Sequence, residues 1–271
     1  MSSRQPRGGS RRGRAARERT RGPGVIWARA EPGARRPRYT REEIAATALE
    51  IADADGFEAV SMRRVAAELG AGTMTLYHYV RTKDELIALM DDAIMGEVLV
   101  PEGELSRDWR ATLALVARRS RDALVRHPWA FEALHGARVG PNGMRHFEQS
   151  LQAVSGIDIP IEERFELVAL VDDYVFGHVL HRFGPRGQPP SDEKLEAALE
   201  YIEEQLRTGD YPRVRELMGE EDARATWERV AALAADEGRF ERGLQRLLDG
   251  IALDLERRGE ASRPGPSPAA A

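Results

Sequence analysis

The sequence predicts an all-α protein, and three observations support this fold class. Apolar residues recur every three or four positions along most of the chain between residues 39 and 258, which is the spacing of one helix face. Capping residues and glycines punctuate these stretches at intervals typical of short helices. No stretch shows the sustained alternation of polar and apolar residues that a half-buried β-strand needs.

The composition excludes several classes of protein. The 271 residues include no cysteine, which rules out disulfide frameworks, thiolate metal sites and cysteine nucleophiles. No run approaches about 18 consecutive apolar residues, and arginines occupy the place of a signal peptide's apolar segment. No glycine-rich phosphate loop or nucleophile elbow is present. We therefore expect a cytoplasmic protein without a membrane partner, a cofactor or an enzymatic activity.

Positive charge is concentrated at the N-terminus. Residues 1–38 contain 12 arginines and only two acids, a net charge of plus 10, although the whole chain carries minus 5. This segment and residues 259–271 are rich in Gly, Pro, Ser or Ala and lack periodicity, so both are predicted to be disordered. Only Val25, Ile26 and Trp27 offer an apolar docking point. The arginines could either attract DNA phosphates or form a solvated tail.

Local signals place the first helices between residues 39 and 84. Thr40 and Glu43 have the spacing of a capping box, and Gly56 is expected to end the helix that follows. Ser61 is a candidate cap for a second short helix, which Gly70 would stop.

The second and third helices form a predicted helix-turn-helix. Gly72 lies in the tight turn between them, the third helix runs from Thr73 to Val80, and a fourth begins near Lys83. The second helix of such a motif enters the DNA major groove, where exposed side chains read bases and flanking ones hold phosphates. The base-reading candidates are Arg63, Thr73, Met74, Thr75, His78 and Tyr79, and the phosphate-binding candidates are Tyr77, Arg81 and Lys83.

The run Ser-Met-Arg-Arg-Val-Ala-Ala-Glu-Leu-Gly-Ala-Gly-Thr-Met-Thr-Leu-Tyr-His-Tyr-Val-Arg-Thr-Lys-Asp-Glu-Leu, residues 61–86, resembles the DNA-binding signature of the TetR family of transcriptional repressors. The likeness includes the spacing of Leu76, Tyr77, Lys83 and Leu86. It implies the same base contacts, phosphate contacts from Tyr77 and Lys83, and a role for Thr40 in capping the first helix against the DNA backbone. The family most often has Phe at the position of Val80, and Val marks the subgroup that includes the tetracycline repressor.

Charge counts leave other interpretations open. Residues 39–90 contain five basic and nine acidic side chains, although residues 60–83 alone hold four bases and one acid. A helical hairpin with a glycine turn also occurs in all-α proteins that do not bind DNA. General DNA compaction by the arginine-rich segment is a further possibility, and it predicts binding without sequence preference.

Residues 85–258 are predicted to form a larger helical domain for ligand binding and dimerisation. The predicted helices span 108–126, 129–136, 142–155, 160–182, 191–207, 221–236 and 239–258. Two late helices resemble those that form a four-helix dimer interface in the family. The resemblance implies a homodimer that binds a double-stranded, roughly palindromic DNA operator.

A small-molecule inducer of unknown identity is the second expected partner. Seven bulky residues have the composition of an apolar ligand pocket: Trp109, Phe131, Met144, Phe147, Phe165, Tyr174 and His178. Ordinary core packing is the alternative for each of them. A ligand that prefers the conformation unable to bind DNA would release the operator.

A metal-dependent hydrolase or metal-binding protein is the alternative function from another class. His178 and His181 lie three residues apart on one predicted helix, with Asp172 and Asp173 upstream. The two aspartates share that helix face only in part, and no metal-binding signature supports them.

Overall fold

The computed structural model describes residues 26–31, 38–133, 140–183 and 190–261. Within these ranges the chain forms α-helices and three 3₁₀ turns but no β-strand, which confirms the all-α class. The described residues divide into two compact units, the first comprising 26–31, 38–93 and 140–141 and the second comprising 94–133, 142–183 and 190–261. No helix in the described part of the chain combines the length and apolar character of a membrane span.

The first unit contains helices α1 (Arg41–Asp55), α2 (Met62–Glu68), α3 (Thr73–Tyr79) and the start of α4 (Lys83–Val98). The predicted capping box is present: the Thr40 hydroxyl accepts a hydrogen bond from the Glu43 amide at 3.1 Å, and the Glu43 carboxylate accepts one from the Thr40 amide at 2.8 Å. The Ser61 hydroxyl caps α2. Gly56 ends α1 with a φ of +84°, which favours glycine.

Helices α1, α2 and α3 share one small core. Helix α2 packs against both α1 and α3. The largest fully buried side chains here are Ile44, Val60, Val65, Leu76, Leu86 and Met90. Because α3 has only seven residues, its position depends on this packing rather than on its own helix propensity.

Part of the N-terminal segment is ordered, which corrects the prediction of disorder over residues 1–38. Ile26–Ala28 form a 3₁₀ turn, and the Ile26 side chain is buried. The Arg29 guanidinium donates to both oxygens of Glu85 at 2.9 Å and to the Tyr79 carbonyl at 3.0 Å. Residues 1–25 and 32–37 lie outside the described ranges, and so does most of the predicted C-terminal tail.

The second unit holds the rest of α4 and eight further helices within its described ranges. These are α5 (Trp109–Arg126), α6 (Ala130–Ala133), α7 (Pro141–Ala153), α8 (Ile161–Phe183), α9 (Asp192–Arg207), α10 (Pro212–Met218), α11 (Ala223–Ala235) and α12 (Gly238–Ala261). Helix α10 is absent from the sequence prediction. Helix α12 continues three residues beyond its predicted end, so the tail cannot begin at Gly259.

Helices α5, α8 and α12 enclose the main core of the second unit. Buried side chains from these helices meet there, among them Leu113, Ala117, Val168, Val171, Val175, Val179, Phe240, Leu244 and Leu248. A separate small cluster of Leu199, Leu206, Met218 and Ala223 joins α9, α10 and α11.

The C-terminal end of α4 is bound to α5. The Arg119 guanidinium donates to the Glu97 and Val98 carbonyls, both at 3.0 Å. The Glu97 side chain also contacts Arg126 and the buried ring of His127. These contacts satisfy carbonyl groups that the end of a helix leaves without intrahelical partners.

Candidate DNA interface and ligand site

One side of helix α3 is exposed. Met74 is 75 % exposed, Tyr77 is 41 % exposed, and His78 is also exposed. Thr73 and Thr75 are half-buried at the start of the helix. An exposed methionine beside an exposed tyrosine and histidine gives this side of the helix both apolar and hydrogen-bonding groups. The structure therefore brings most of the predicted base-reading residues to one accessible surface.

Tyr79 is the exception, and its predicted base contact is wrong. Its side chain is only 7 % exposed, and its ring packs edge-on against Tyr39 with a centroid separation of 6.4 Å. Tyr79 lies three residues after Leu76 and next to Val80, both of which face the core. Residues three apart share a helix face, so Tyr79 lies with Leu76 on the buried side of α3 and helps to hold the helix in the core.

The cations around α3 differ in their availability. Arg64 is ion-paired with Asp55 at 3.1 Å and with Glu68 at 3.6 Å, so its charge is compensated. Arg63 and Arg81 are exposed and form no salt bridge among the described residues, although the Arg81 charge helps to lower the pKa of Glu85. The Lys83 ammonium lies 5.1 Å from the centre of the Phe57 ring, a cation–π distance. Positive side chains without a salt-bridge partner therefore lie near α3, although the first unit contains more acidic than basic side chains.

Arg29 fixes the end of α3 in place. Burial of the Glu85 carboxylate opposes its ionisation, but hydrogen bonds from Arg29 and from the Arg81 amide outweigh this and hold the pKa of Glu85 below its usual range. The same guanidinium binds the Tyr79 carbonyl, so it bridges the last residue of α3 and the first turn of α4.

Arg29→Ala should lower the free energy of unfolding by about 1 to 3 kcal/mol, because it leaves a half-buried carboxylate without its charged hydrogen-bond donor. Arg29→Lys should recover only part of this loss, since an ammonium cannot reproduce the two-pronged contact. Urea unfolding measures both effects. Arg107→Ala, at an exposed arginine, is the control, and an equal loss in the control would contradict the assignment.

The predicted ligand-binding residues form two groups in the second unit. Tyr174 and His178 pack against Phe240, and the Tyr174 hydroxyl donates to the Phe240 carbonyl at 2.7 Å. Burial, followed by nearby arginines, lowers the pKa of His178. Trp109 packs on the same core. The side chains of this group are part of the packed core of the second unit.

The second group lies along α7 and α8. The rings of Phe147 and Phe165 meet edge-on with centroids 6.0 Å apart, and Phe131 meets Phe176 in the same way at 6.0 Å. Phe147, Phe165 and Phe176 remain 42 to 49 % exposed, and Met144 is 56 % exposed. We call Phe131, Phe147, Phe165 and Phe176 the aromatic face. Phe176 was not among the predicted lining residues, although its spacing from Phe165 places both on one side of α8.

Asp172 lies on the aromatic face between the two ring pairs. It is four residues before Phe176 and seven after Phe165, so the three side chains share one side of α8. No hydrogen bond or ion pair to its carboxylate occurs within the described ranges. Burial, and secondarily the neighbouring Asp173, raises the pKa of Asp172 to about 6.

Comparison with known families decides the identity. Residues 44–90 match the family model described as "Bacterial regulatory proteins, tetR family", and residues 102–255 match "Tetracyclin repressor-like, C-terminal domain". The second match alone covers more than half of the chain. The chain belongs to the TetR family. It is therefore a helix-turn-helix transcriptional repressor that binds DNA, and not an enzyme.

Individual relatives agree with this assignment. The chain is 33 % identical over 234 residues to the HTH-type transcriptional repressor DrrR1 of Streptomyces coeruleorubidus. The aligned residues cover 84 % of this chain and 83 % of that protein. Apo ActR from Streptomyces coelicolor matches with a TM-score of 0.61 and 28 % identity over 84 % of this chain and all of ActR. ActR in complex with actinorhodin matches with a TM-score of 0.56 and 27 % identity over 79 % of this chain and 95 % of ActR.

The metal-dependent alternative is not favoured in this TetR-family protein. His178 is engaged with Tyr174 and Phe240, whereas His181 is exposed. Among the described residues, no three His, Asp or Glu side chains come together as a metal site. Asp172 and Asp173 therefore need another explanation.

The raised pKa of Asp172 predicts a pH-dependent stability. A carboxyl group with a higher pKa in the folded than in the unfolded state favours folding below the unfolded value of 3.8, and this contribution is lost as the pH rises to about 6. Asp172→Asn should therefore be more stable than the native protein at pH 7.5, by at most about 3 kcal/mol. The difference should shrink toward pH 4.5.

Urea unfolding of both proteins from pH 4.5 to 7.5 measures this difference. Asp158→Asn, at an exposed loop position, should show no comparable pH-dependent gain. A gain in Asp172→Asn that stays constant with pH would contradict the assignment.

Proposed function

We propose that this TetR-family repressor binds a roughly palindromic operator as a homodimer and is released from it by a small-molecule inducer. The exposed side of α3 is the observation that carries the proposal. Met74, Tyr77 and His78 project from a short helix whose other side is fixed in a core. Available cations lie on the elements that flank it.

Each DNA-facing residue has a role that follows from its chemistry. Base contacts are proposed for Arg63, Thr73, Met74, Thr75 and His78, and backbone contacts for Thr40, Tyr77 and Lys83. Arginine suits a guanine edge, and the methionine offers an apolar contact for a thymine methyl group. The Thr40 oxygen already accepts the capping hydrogen bond, so its hydroxyl proton is the group available to a phosphate.

We propose that the dimer forms through α8 and α12. Both are long helices that keep apolar side chains exposed, including Leu170 and Leu180 on α8 and Leu253 on α12. One reading helix binds weakly, whereas a two-fold pair contacts two half-sites about one helical turn apart.

Inducer binding is proposed for the aromatic face. Aromatic side chains together with a small number of polar groups are the lining composition of small-molecule sites. ActR, which is similar over most of this chain, has been solved in complex with actinorhodin. A ligand bound here would weaken operator affinity through a coupling of about 1 to 3 kcal/mol.

Selection of bound DNA from a random pool tests the proposal. The full-length protein should enrich one sequence with two inverted half-sites, and purified protein should bind it as a dimer. Enrichment of no sequence, or of a single half-site bound by a monomer, would contradict it. General compaction of DNA predicts the first of these failures.

The arginine-rich segment should add affinity without sequence preference. Residues 1–25 contain eight arginines and one glutamate. Deleting them while keeping residues 26–31, and hence the Arg29–Glu85 contact, should flatten the dependence of log K on log salt by about 0.9 for each phosphate they neutralise. Operator titrations between 50 and 300 mM salt measure this slope. An unchanged slope would show that the segment is a solvated tail.

A further inference from the structure

The side of α8 that carries Asp172 combines exposed aromatic rings with a half-buried carboxylate. Aromatic rings on both sides of the residue remain accessible. Between them lies the half-buried carboxylate of Asp172, which has no hydrogen-bonding or ionic partner among the residues that the structure describes. A carboxylate held beside apolar rings would be stabilised by a cationic partner.

The charged group that influences the Asp172 carboxylate is Asp173, and no described cation is paired with it. On α7, His146 precedes Phe147 of the aromatic face, and its Nδ1 is buried without a hydrogen-bond partner among the described residues. Burial lowers the pKa of His146, so its ring is neutral near pH 7 and provides no positive charge. Asp173, at the adjacent position, is exposed to solvent, which screens its charge. The site is therefore apolar, negative and accessible.

We propose that Asp172 is the charge-recognition group of the inducer site, and that the inducer is an apolar molecule carrying a protonated amine. The amine would donate a charge-assisted hydrogen bond to the Asp172 carboxylate while its apolar body covers the aromatic face. The Asp172 carboxylate would repel an anionic ligand, and a neutral ligand would leave the carboxylate without a charged partner. This inference rests on the ligand-binding role proposed above.

Other arrangements explain the observations less well. A metal ion would need further ligands, and no such group occurs in the described ranges. A purely structural acid would be expected to hold a hydrogen bond to the backbone or to an arginine, as Glu85 and Glu241 do. Asp172 does neither within these ranges.

Three dansyl probes that share one fluorophore test the charge preference. Dansylcadaverine carries an ammonium group, dansylamide is neutral, and dansylglycine is anionic. Fluorescence titration of the full-length protein gives their affinities for the native sequence, Asp172→Asn and Asp173→Asn. Asp173 is the matched control because it is the adjacent, exposed carboxylate on the same helix.

The native protein should bind dansylcadaverine at least tenfold more tightly than dansylglycine. Asp172→Asn should lose this preference and bind dansylcadaverine at least tenfold more weakly, while its affinity for dansylamide changes less than threefold. Asp173→Asn should stay within about threefold of the native protein. Circular dichroism and operator binding without probe verify that each variant is folded.

Three results would overturn the inference. These are the absence of a preference for the cationic probe in the native protein, survival of the preference in Asp172→Asn, and equal loss of the preference in Asp173→Asn. Operator binding is scored separately. A protein that binds its operator but ignores probe charge refutes this inference alone, whereas failure to bind any operator refutes the proposed function.

Discussion

His78→Ala should weaken binding to the selected operator about 5- to 150-fold, which corresponds to about 1 to 3 kcal/mol. The ring of His78 is exposed on α3 and can offer a donor or an acceptor to a base edge. Its loss should relax the sequence preference at one position of each half-site. Fluorescence anisotropy with operators substituted one base pair at a time measures this change.

Two control variants separate base reading from other effects. Lys83→Ala removes a proposed phosphate contact, so it should weaken all operators alike and reduce the salt slope by about one. Tyr79→Phe alters a ring that packs in the core, and it should leave the base preference unchanged. A uniform loss of affinity in His78→Ala would place His78 on the DNA backbone instead.

Gly243→Ala should destabilise the protein by about 1 to 3 kcal/mol, although alanine normally favours a helix interior over glycine. A Cβ atom at Gly243 would lie 2.2 Å from the Tyr174 hydroxyl oxygen and 2.9 Å from the ring carbon that bears it. The ring cannot retreat easily because its hydroxyl is bound to the Phe240 carbonyl. Overpacking therefore outweighs helix propensity at this position.

Helix α12 provides the matched control at Gly250. A Cβ atom there would meet nothing within 4 Å among the described residues, so Gly250→Ala should be neutral or stabilising by up to about 1 kcal/mol. Thermal or urea unfolding measures both variants. Adding Tyr174→Phe to Gly243→Ala should recover part of the loss, because it removes the closest atom. No recovery would mean that the ring, rather than its hydroxyl group, causes the strain.

Local signals explain why much of the first unit could be predicted. The Thr40 capping box and the Ser61 cap depend on residues three apart, and both appear as expected. The burial of Tyr79 was also readable, since it is three residues from Leu76 on the core side of α3. Its polar hydroxyl suggested the opposite orientation. An amphipathic side chain cannot be assigned to a surface by residue type alone.

Long-range contacts were not predictable in the same way. Arg29 and Glu85 are 56 residues apart, and no local pattern connects them. Helix α10 was missed: it has only seven residues, and it begins at Pro212, a position where proline is well tolerated in a helix. Asp172 was predicted only as a metal candidate, and its lack of a partner among the described residues appears only in the structure.

The hydrogen bonds from Arg119 to the end of α4 affect how the two helices can move. Two carbonyls of the last turn and the Glu97 side chain are all held by α5, so this turn cannot slip or unwind by itself without breaking several charged hydrogen bonds. A shift of α5 by about an ångström would therefore also move the last turn of α4. These hydrogen bonds make the connection between the two helices rigid, so a displacement of one helix would also displace the other.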